Sequence, residues 1–293
     1  MSPDGFVLVD KPLGWTSHQV VGRLRRLLGT KKIGHAGTLD PLATGLLVCG
    51  VGRATRLLGD LMGEDKLYRA TVRFGQETST EDAEGDITAS RGVDGLDLET
   101  VRAVSAQWLG AVDQVPSAVS AIKVQGQRAY RLVRAGETPD LAPRRVRIDR
   151  IEWGSARPGD GWLDAEVTVA CSAGTYIRAL ARDIGRGVGT GAHLVALRRL
   201  QSGSFKVAEA RVDQARLEGA DPVDVWPIRA VMARVLPLLR TDADTARRVG
   251  YGQALDQVLS GPTLIVGPGD EALAVYVPDD GRAVARTVLV GGS

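Results

Sequence analysis

Apolar and polar residues alternate from Leu67 to Phe74, with Tyr68, Ala70, Val72 and Phe74 on one face and Arg69, Thr71 and Arg73 on the other. That period predicts a half-buried strand. Arg144–Trp153 and Trp162–Cys171 alternate in the same way and are joined through Arg157-Pro158-Gly159-Asp160-Gly161, a turn-rich connection. Gly5–Asp10 and Gly45–Val51 are apolar runs of strand length, the second typical of a central strand. Helical spacing appears at Val20, Val21, Leu24, Leu27 and Leu28, a face that Thr16 or Ser17 can cap and Gly29 can stop. Asp97–Gly110 reads as a helix with Leu98, Val101, Val104 and Trp108 inward, and further helices are expected at about Thr175–Arg186 and Ala192–Leu200. Thr78–Gly95 is acidic, glycine-containing and aperiodic, which predicts a mobile surface loop.

Strands and helices do not alternate regularly, so the expected fold class is α+β, a mixed and mostly antiparallel sheet flanked by helices. After Leu236 the texture changes. A helix near Asp242–Val249 precedes short strands at Thr263–Val266, Ala272–Val277 and Val284–Val290, broken by Gly-Pro-Gly and Pro-Asp-Asp-Gly turns. The division expected is a main domain over residues 1–235 and a small β-rich domain over 236–293.

Charge adds to this picture once it is divided along the chain. The net charge of +2 conceals an acidic stretch, Glu77–Glu99, with eight acids against Arg91 alone. Residues 211–293 carry −2, so the rest of the first 210 residues carries about +11. Its basic residues cluster in Arg23–Lys32, Arg144–Arg150 and Arg178–Arg199, as expected of a basic face meeting a polyanion. Cys49 and Cys171 lie in apolar runs and read as buried thiols rather than a disulfide. With only His18, His35 and His193 beside them, no zinc-ligand spacing exists, and neither a metal nor a cofactor is expected. No apolar run approaches the roughly 20 residues of a membrane span, and the N-terminus lacks a signal-peptide layout. A cytoplasmic protein with no membrane partner is expected, and a monomer, since no long apolar face demands a second copy.

The stretch from His35 to Leu47 (HAGTLDPLATGLL) sets Asp40 in a glycine-flanked turn before an apolar run. A turn of this kind presents a side chain at the mouth of a fold, although an Asp-Pro turn can equally use its carboxylate to cap backbone amides. The wider pattern is more specific. Val9–Ser17 (VDKPLGWTS), Lys32-Ile33-Gly34, Lys66-Leu67-Tyr68, Val115-Pro116-Ser117, Ser120-Ala121-Ile122-Lys123, Cys171–Arg178 (CSAGTYIR), Gly191–Leu194 and Leu197-Arg198-Arg199 follow in order. Over roughly residues 5–210 this series resembles the bacterial tRNA pseudouridine-55 synthase family, often called TruB.

The resemblance implies an enzyme that flips uridine 55 out of the tRNA T loop and isomerises it. The reaction breaks the N1–C1′ bond, turns the uracil and joins C5 to C1′, with no net redox change or group transfer. By resemblance Asp40 is the nucleophilic carboxylate and Arg178 the guanidinium that keeps it ionised in a desolvated pocket. Tyr68 and Tyr176 match residues lining the uracil pocket, where a ring replaces lost base stacking. Tyr68 could also relay a proton through its hydroxyl. Leu197 matches an apolar wall, His35 a residue contacting the RNA loop around the flipped nucleotide, and Lys11 with Pro12 residues that pack beside the pocket and position the Tyr68 strand. Ser120–Gly136, with Lys123, Arg128, Tyr130 and Arg131, matches a segment that grips the substrate arm, within an insertion of about 115–150. The tail occupies the place of a small RNA-binding domain of the PUA type. The partner implied is the T arm of tRNA.

Two rivals are weighed on the residues. Gly50-Val51-Gly52 resembles a dinucleotide turn, but Thr55 stands where the third glycine belongs and no ribose-binding acid follows. The other is an RNA-folding chaperone or structural tRNA-binding protein without isomerase activity, against which the intact set Asp40, Tyr68, Tyr176 and Arg178 argues.

Overall fold

The computed structural model describes residues 4–117 and 141–290, with 123–124 and 127–128 between them. The arm-gripping segment expected over Ser120–Gly136 therefore lies outside the described residues, apart from the strands β8 and β9 placed below. In chain order the strands are β1 (Gly5–Lys11), β2 (Ile33–Ala36), β3 (Ala43–Val51), β4 (Lys66–Phe74), β5 (Gln76–Thr78), β6 (Ile87–Ser90), β7 (Gly110–Gln114), β8 (Lys123–Val124), β9 (Gln127–Arg128), β10 (Arg144–Pro158), β11 (Leu163–Cys171), β12 (Ala192–Ser202), β13 (Phe205–Lys206), β14 (Leu238–Arg240), β15 (Thr263–Val266), β16 (Ala272–Asp279) and β17 (Arg282–Val288). The helices are α1 (Ser17–Leu27), α2 (Leu58–Met62), α3 (Leu98–Ser105), α4 (Ile177–Gly187), α5 (Gln214–Glu218), α6 (Ile228–Met232) and α7 (Ala243–Gly250).

The central sheet runs β1-β3-β12-β4-β11-β10-β7, with β2 on β3 and β13 on β12. Among the described residues only its pairing of β3 with β12 is parallel, so the sheet is mainly antiparallel. The strand that follows Gly50–Gly52, β4, runs antiparallel to β3 with β12 between them, so no parallel β-α-β unit opens there, and the dinucleotide reading loses its scaffold. Thr16 caps α1 reciprocally with Gln19, and Val20, Val21 and Leu24 are buried beneath it. Cys49 and Cys171 are buried free thiols.

Two elements differ from the sequence reading. Residues 192–202 form the strand β12 between β3 and β4, not a helix. Register shifts at Leu194/Ala196 and Arg199/Gln201 interrupt the strand's alternation. Those irregularities, with good helix formers such as Ala, Leu and Arg, give the run a helix-like pattern that central-sheet burial overrides. The acidic stretch is ordered as well. Strands β5 and β6 pair, Thr78 and Asp82 are buried, and the Leu194 amide donates to the Glu81 carbonyl at 3.0 Å.

A second sheet, β14-β15-β16-β17, carries α7 against it. It shares a core with the first: Leu264, Val266, Val275 and Leu289 cluster with Phe6, Leu8, Leu46 and Leu57. Asp60 and Arg286 add an ion pair at 2.6 Å between the two regions. No helix among the described residues is long and apolar enough to cross a membrane.

Candidate active site

A pocket of about 270 Å³ opens above the β4–β12 part of the central sheet, near the small end of ligand sites, which run from roughly 300 Å³. Its lining includes Asp40, Tyr68, Tyr176, Arg178 and Leu197, so five of the seven residues expected from the sequence come together. Lys11 and His35 lie outside that lining.

Asp40 sits in the loop between β2 and β3. Along β3 the neighbour on one side changes from β12, at Ala43–Gly45, to β2, at Val48–Val51. The loop rises where β2 parts from β3, which places Asp40 at the head of a split in the sheet. Several contacts fix it there. Ser17 at the start of α1 accepts the Leu39 amide at 2.9 Å and donates to the Leu39 carbonyl at 3.1 Å. The Gly14 amide and the Lys11 ammonium both donate to the Pro41 carbonyl, at 2.9 and 3.3 Å. Lys11 is fully buried and also donates to the Pro12 carbonyl at 2.9 Å and to the Trp15 carbonyl. It therefore pins the Asp40 loop rather than the Tyr68 strand, from which β1 is separated by β3 and β12. Burial pushes its pKa down to about 8 despite the pull of the Asp40 carboxylate.

Arg178 lies in the first turn of α4 and is 5% exposed. Its Nε and Nη2 converge on Oδ2 of Asp40 at 3.0 and 2.9 Å, while the Asp40 side chain stays 41% exposed. The carboxylate of this Asp-Pro turn thus engages a guanidinium. Arg178 is itself held from behind. Nη1 donates to the Thr80 carbonyl at 2.9 Å and the Ser117 hydroxyl at 2.7 Å, and Nε lies 3.5 Å from Oδ2 of buried Asp82. Asp82 accepts from the Thr80 hydroxyl and the Glu84 amide. One turn along α4, Arg182 pairs with Glu81 at 2.7 Å. The acidic stretch therefore neutralises arginines on the inner face of α4. Arg178, Arg182 and Arg199 are buried, so only Arg186 and Arg198 of the Arg178–Arg199 cluster reach the surface, whereas Arg144, Arg145, Arg147 and Arg150 on β10 are exposed.

The pocket floor belongs to the sheet. Tyr68 on β4 stands opposite Arg199 on β12, and Ala70 opposite Leu197. Leu197 is thus a strand residue, not one from a helix core. Burial raises the Tyr68 pKa, opposed by the guanidinium of Arg199 against its hydroxyl. Tyr176, the residue before α4, is gripped through its backbone: its amide donates to Gln114 Oε1 at 2.8 Å and its carbonyl accepts from Gln114 Nε2 at 3.1 Å. His35, on β2, has a buried Nδ1 with no hydrogen-bond partner among the described residues, and burial followed by Arg199 lowers its pKa.

The sequence reading missed Asp82, Gln114, Ser117, Lys66 and Arg199 as parts of this site. Lys66, Ser117 and Arg199 stand inside motifs quoted for the family resemblance, the one signal that pointed toward them. Asp82 and Gln114 carried none, because their contacts join elements far apart in the chain.

Comparison with known proteins follows this geometry. Residues 25–177 match the family model described as TruB family pseudouridylate synthase (N terminal domain), and residues 178–222 that described as tRNA pseudouridylate synthase B C-terminal domain. A relative from Cutibacterium acnes, tRNA pseudouridine synthase B, is 48% identical over 290 residues, spanning 98% of this chain and 98% of its own length. One of the same name from Arthrobacter sp. is 45% identical over 98% of this chain and 94% of its own. Among solved structures, a chain of a Cbf5-Nop10-Gar1 complex aligns with a TM-score of 0.69 at 24% identity, covering 98% of this chain and 85% of that one, a likeness of fold alone. The chain belongs to the TruB family of pseudouridylate synthases.

Proposed function

We propose that this chain isomerises uridine to pseudouridine in tRNA, at position 55 of the T loop. The observation that carries the reading is the Asp40 carboxylate, held by buried Arg178 at the mouth of a pocket lined by Tyr68, Tyr176 and Leu197. Breaking a glycosidic bond calls for an anion at the sugar, and Asp40 supplies it. The guanidinium offsets the cost of keeping that anion in a pocket from which the flipped base excludes water. Tyr68 and Tyr176 offer rings to replace the stacking the uridine leaves behind. His35 meets the RNA loop around the flipped nucleotide, and Lys11 acts through the loop it pins. The exposed arginines of β10 suit the shape-and-phosphate recognition that RNA stems require. Residues 236–293 form a small PUA-like RNA-binding domain on the 1–235 body, and the enzyme works in the cytoplasm as a monomer.

The test is tritium release from uracil C5 in a T-arm hairpin, since isomerisation removes that hydrogen. Release that depends on the target uridine supports the reading. Binding without release would instead favour an RNA chaperone or structural tRNA binder.

A further inference from the structure

Among the described residues, the charged ones lining the pocket are one carboxylate, Asp40, and three cations: Lys66, Arg178 and Arg199. Arg178 is offset by both Asp40 and Asp82. Lys66 and Arg199 are not. Arg199 is 1% exposed and Lys66 7%, yet among the described residues neither forms an ion pair. Arg199 donates to the Leu46 carbonyl at 2.7 Å and the Gly37 carbonyl at 3.1 Å, and lies against the Tyr68 hydroxyl. Lys66 donates to the Met62 carbonyl at 3.0 Å and to the Glu64 carbonyl. An ammonium has three N–H groups, so one remains. Lys11 provides the contrast, because three backbone carbonyls take its three donors. Lys66 stands two residues before Tyr68 on the same face of β4, and both line the pocket.

We propose that Lys66 and Arg199 form a cationic floor that receives the uracil anion, Lys66 donating its third N–H to a uracil carbonyl oxygen. This rests on the isomerase reading above. When N1–C1′ breaks, its electron pair stays with the base, and the charge spreads over N1, O2 and O4 while Asp40 faces C1′. After the base turns, the same pair forms the C5–C1′ bond, C5 loses its proton and N1 gains one. Two buried cations fixed on strands are preorganised for that transient charge, the arrangement that favours a transition state over the neutral substrate. Burial depth selects the base over a phosphate as the occupant. Asp40 is the exposed carboxylate at the mouth, and Lys66 and Arg199 are almost fully enclosed. Burial also drives the Lys66 pKa down to about 8, with Arg199 adding to the effect, so its cation gains from an anionic neighbour. The competing role for Lys66 is a plain cap on the carbonyls at the end of α2.

The experiment compares T-arm hairpins carrying uridine or 5-fluorouridine at the target position, in wild type, Lys66→Met and Lys66→Arg, each checked for folding by circular dichroism. Consumption of the N-linked nucleoside is followed in single turnovers at saturating RNA. Fluorine stabilises the uracil anion by itself, so that substrate depends less on the floor. Lys66→Met is expected to slow uridine by about 10²-fold with RNA affinity unchanged, and to slow 5-fluorouridine at least several-fold less. Lys66→Arg is expected to recover most of the rate and the wild-type ratio between substrates. Equal losses on both substrates, or a neutral variant as fast as Lys66→Arg, would overturn the proposal in favour of a helix cap. Weakened RNA binding with an intact rate at saturation would overturn it in favour of a phosphate contact. If Lys66→Met does not fold, the ratio in Lys66→Arg decides: a wild-type ratio supports the floor and a steeper one at restored stability overturns it. Wild type that releases no tritium from labelled uridine would instead remove the isomerase reading, and this inference with it.

Discussion

Asp40 and Asp82 meet the same guanidinium, both at its Nε, and the two contacts call for different measurements. Asp40 is partly exposed and faces the pocket, so Asp40→Asn should lower tritium release by about 10³-fold or more while RNA affinity stays within a few-fold. Release near the wild-type rate would mean another carboxylate does the chemistry. Arg178→Lys should cost about 10²-fold, since a point charge cannot reproduce a contact made by two nitrogens of a planar group. Asp82 is buried with Arg178, and removing it leaves the guanidinium its pair with Asp40 but takes the acceptor away from the Thr80 hydroxyl and the Glu84 amide. Asp82→Ala should therefore lower unfolding free energy by about 1–3 kcal/mol, read by urea titration of the free protein. Asp40 and Arg178 were legible because each stands in a motif of the family series. Asp82 was not, since an acidic stretch looks the same whether it waves in water or neutralises buried arginines.

Among elements, the alternating strands β4 and β11 were legible because each pleats without interruption on the face their patterns predicted, and β10 because its period holds through Val146 and Ile148 before the first of its two bulges. The strand β12 was not, for its irregular register hides the period that defines a strand. Its place beside β3 depends on Gly45, whose φ of +99° suits glycine and where a Cβ would stand 2.3 Å from the Arg199 carbonyl. No local signal in the Thr-Gly-Leu run shows that a backbone more than 150 residues away passes so close. Gly45→Ala should cost about 2–4 kcal/mol through strain and a forced separation of β3 from β12. Urea unfolding should show the loss, and activity should fall with it because Leu197 and Arg199 lie on the displaced strand. A variant of wild-type stability would show that the two strands can part without consequence.

Over the whole molecule, the tail looked separable in the sequence because its texture changes after Leu236. What the texture cannot show is that Leu264, Val266 and Val275 finish a core begun by Phe6 and Leu8. All five tryptophans (Trp15, Trp108, Trp153, Trp162 and Trp226) precede the tail, so their fluorescence reports on the main body. Leu264→Ala should nevertheless shift the tryptophan-detected urea transition by about 2–5 kcal/mol. An unshifted transition would mean the two sheets unfold independently.

The bond between Arg178 and Asp40 joins positions 138 residues apart, and that separation has a consequence in time. On a ribosome adding about 5–20 residues per second, Asp40 is made roughly 7–28 s before its partner. The loop that α1 and Lys11 pin can form early from local contacts, but its carboxylate then stands without a counter-cation and its pocket without a floor. The assembled Asp40–Arg178 pocket is thus one of the last features a nascent chain acquires, long after Asp40 has found its place.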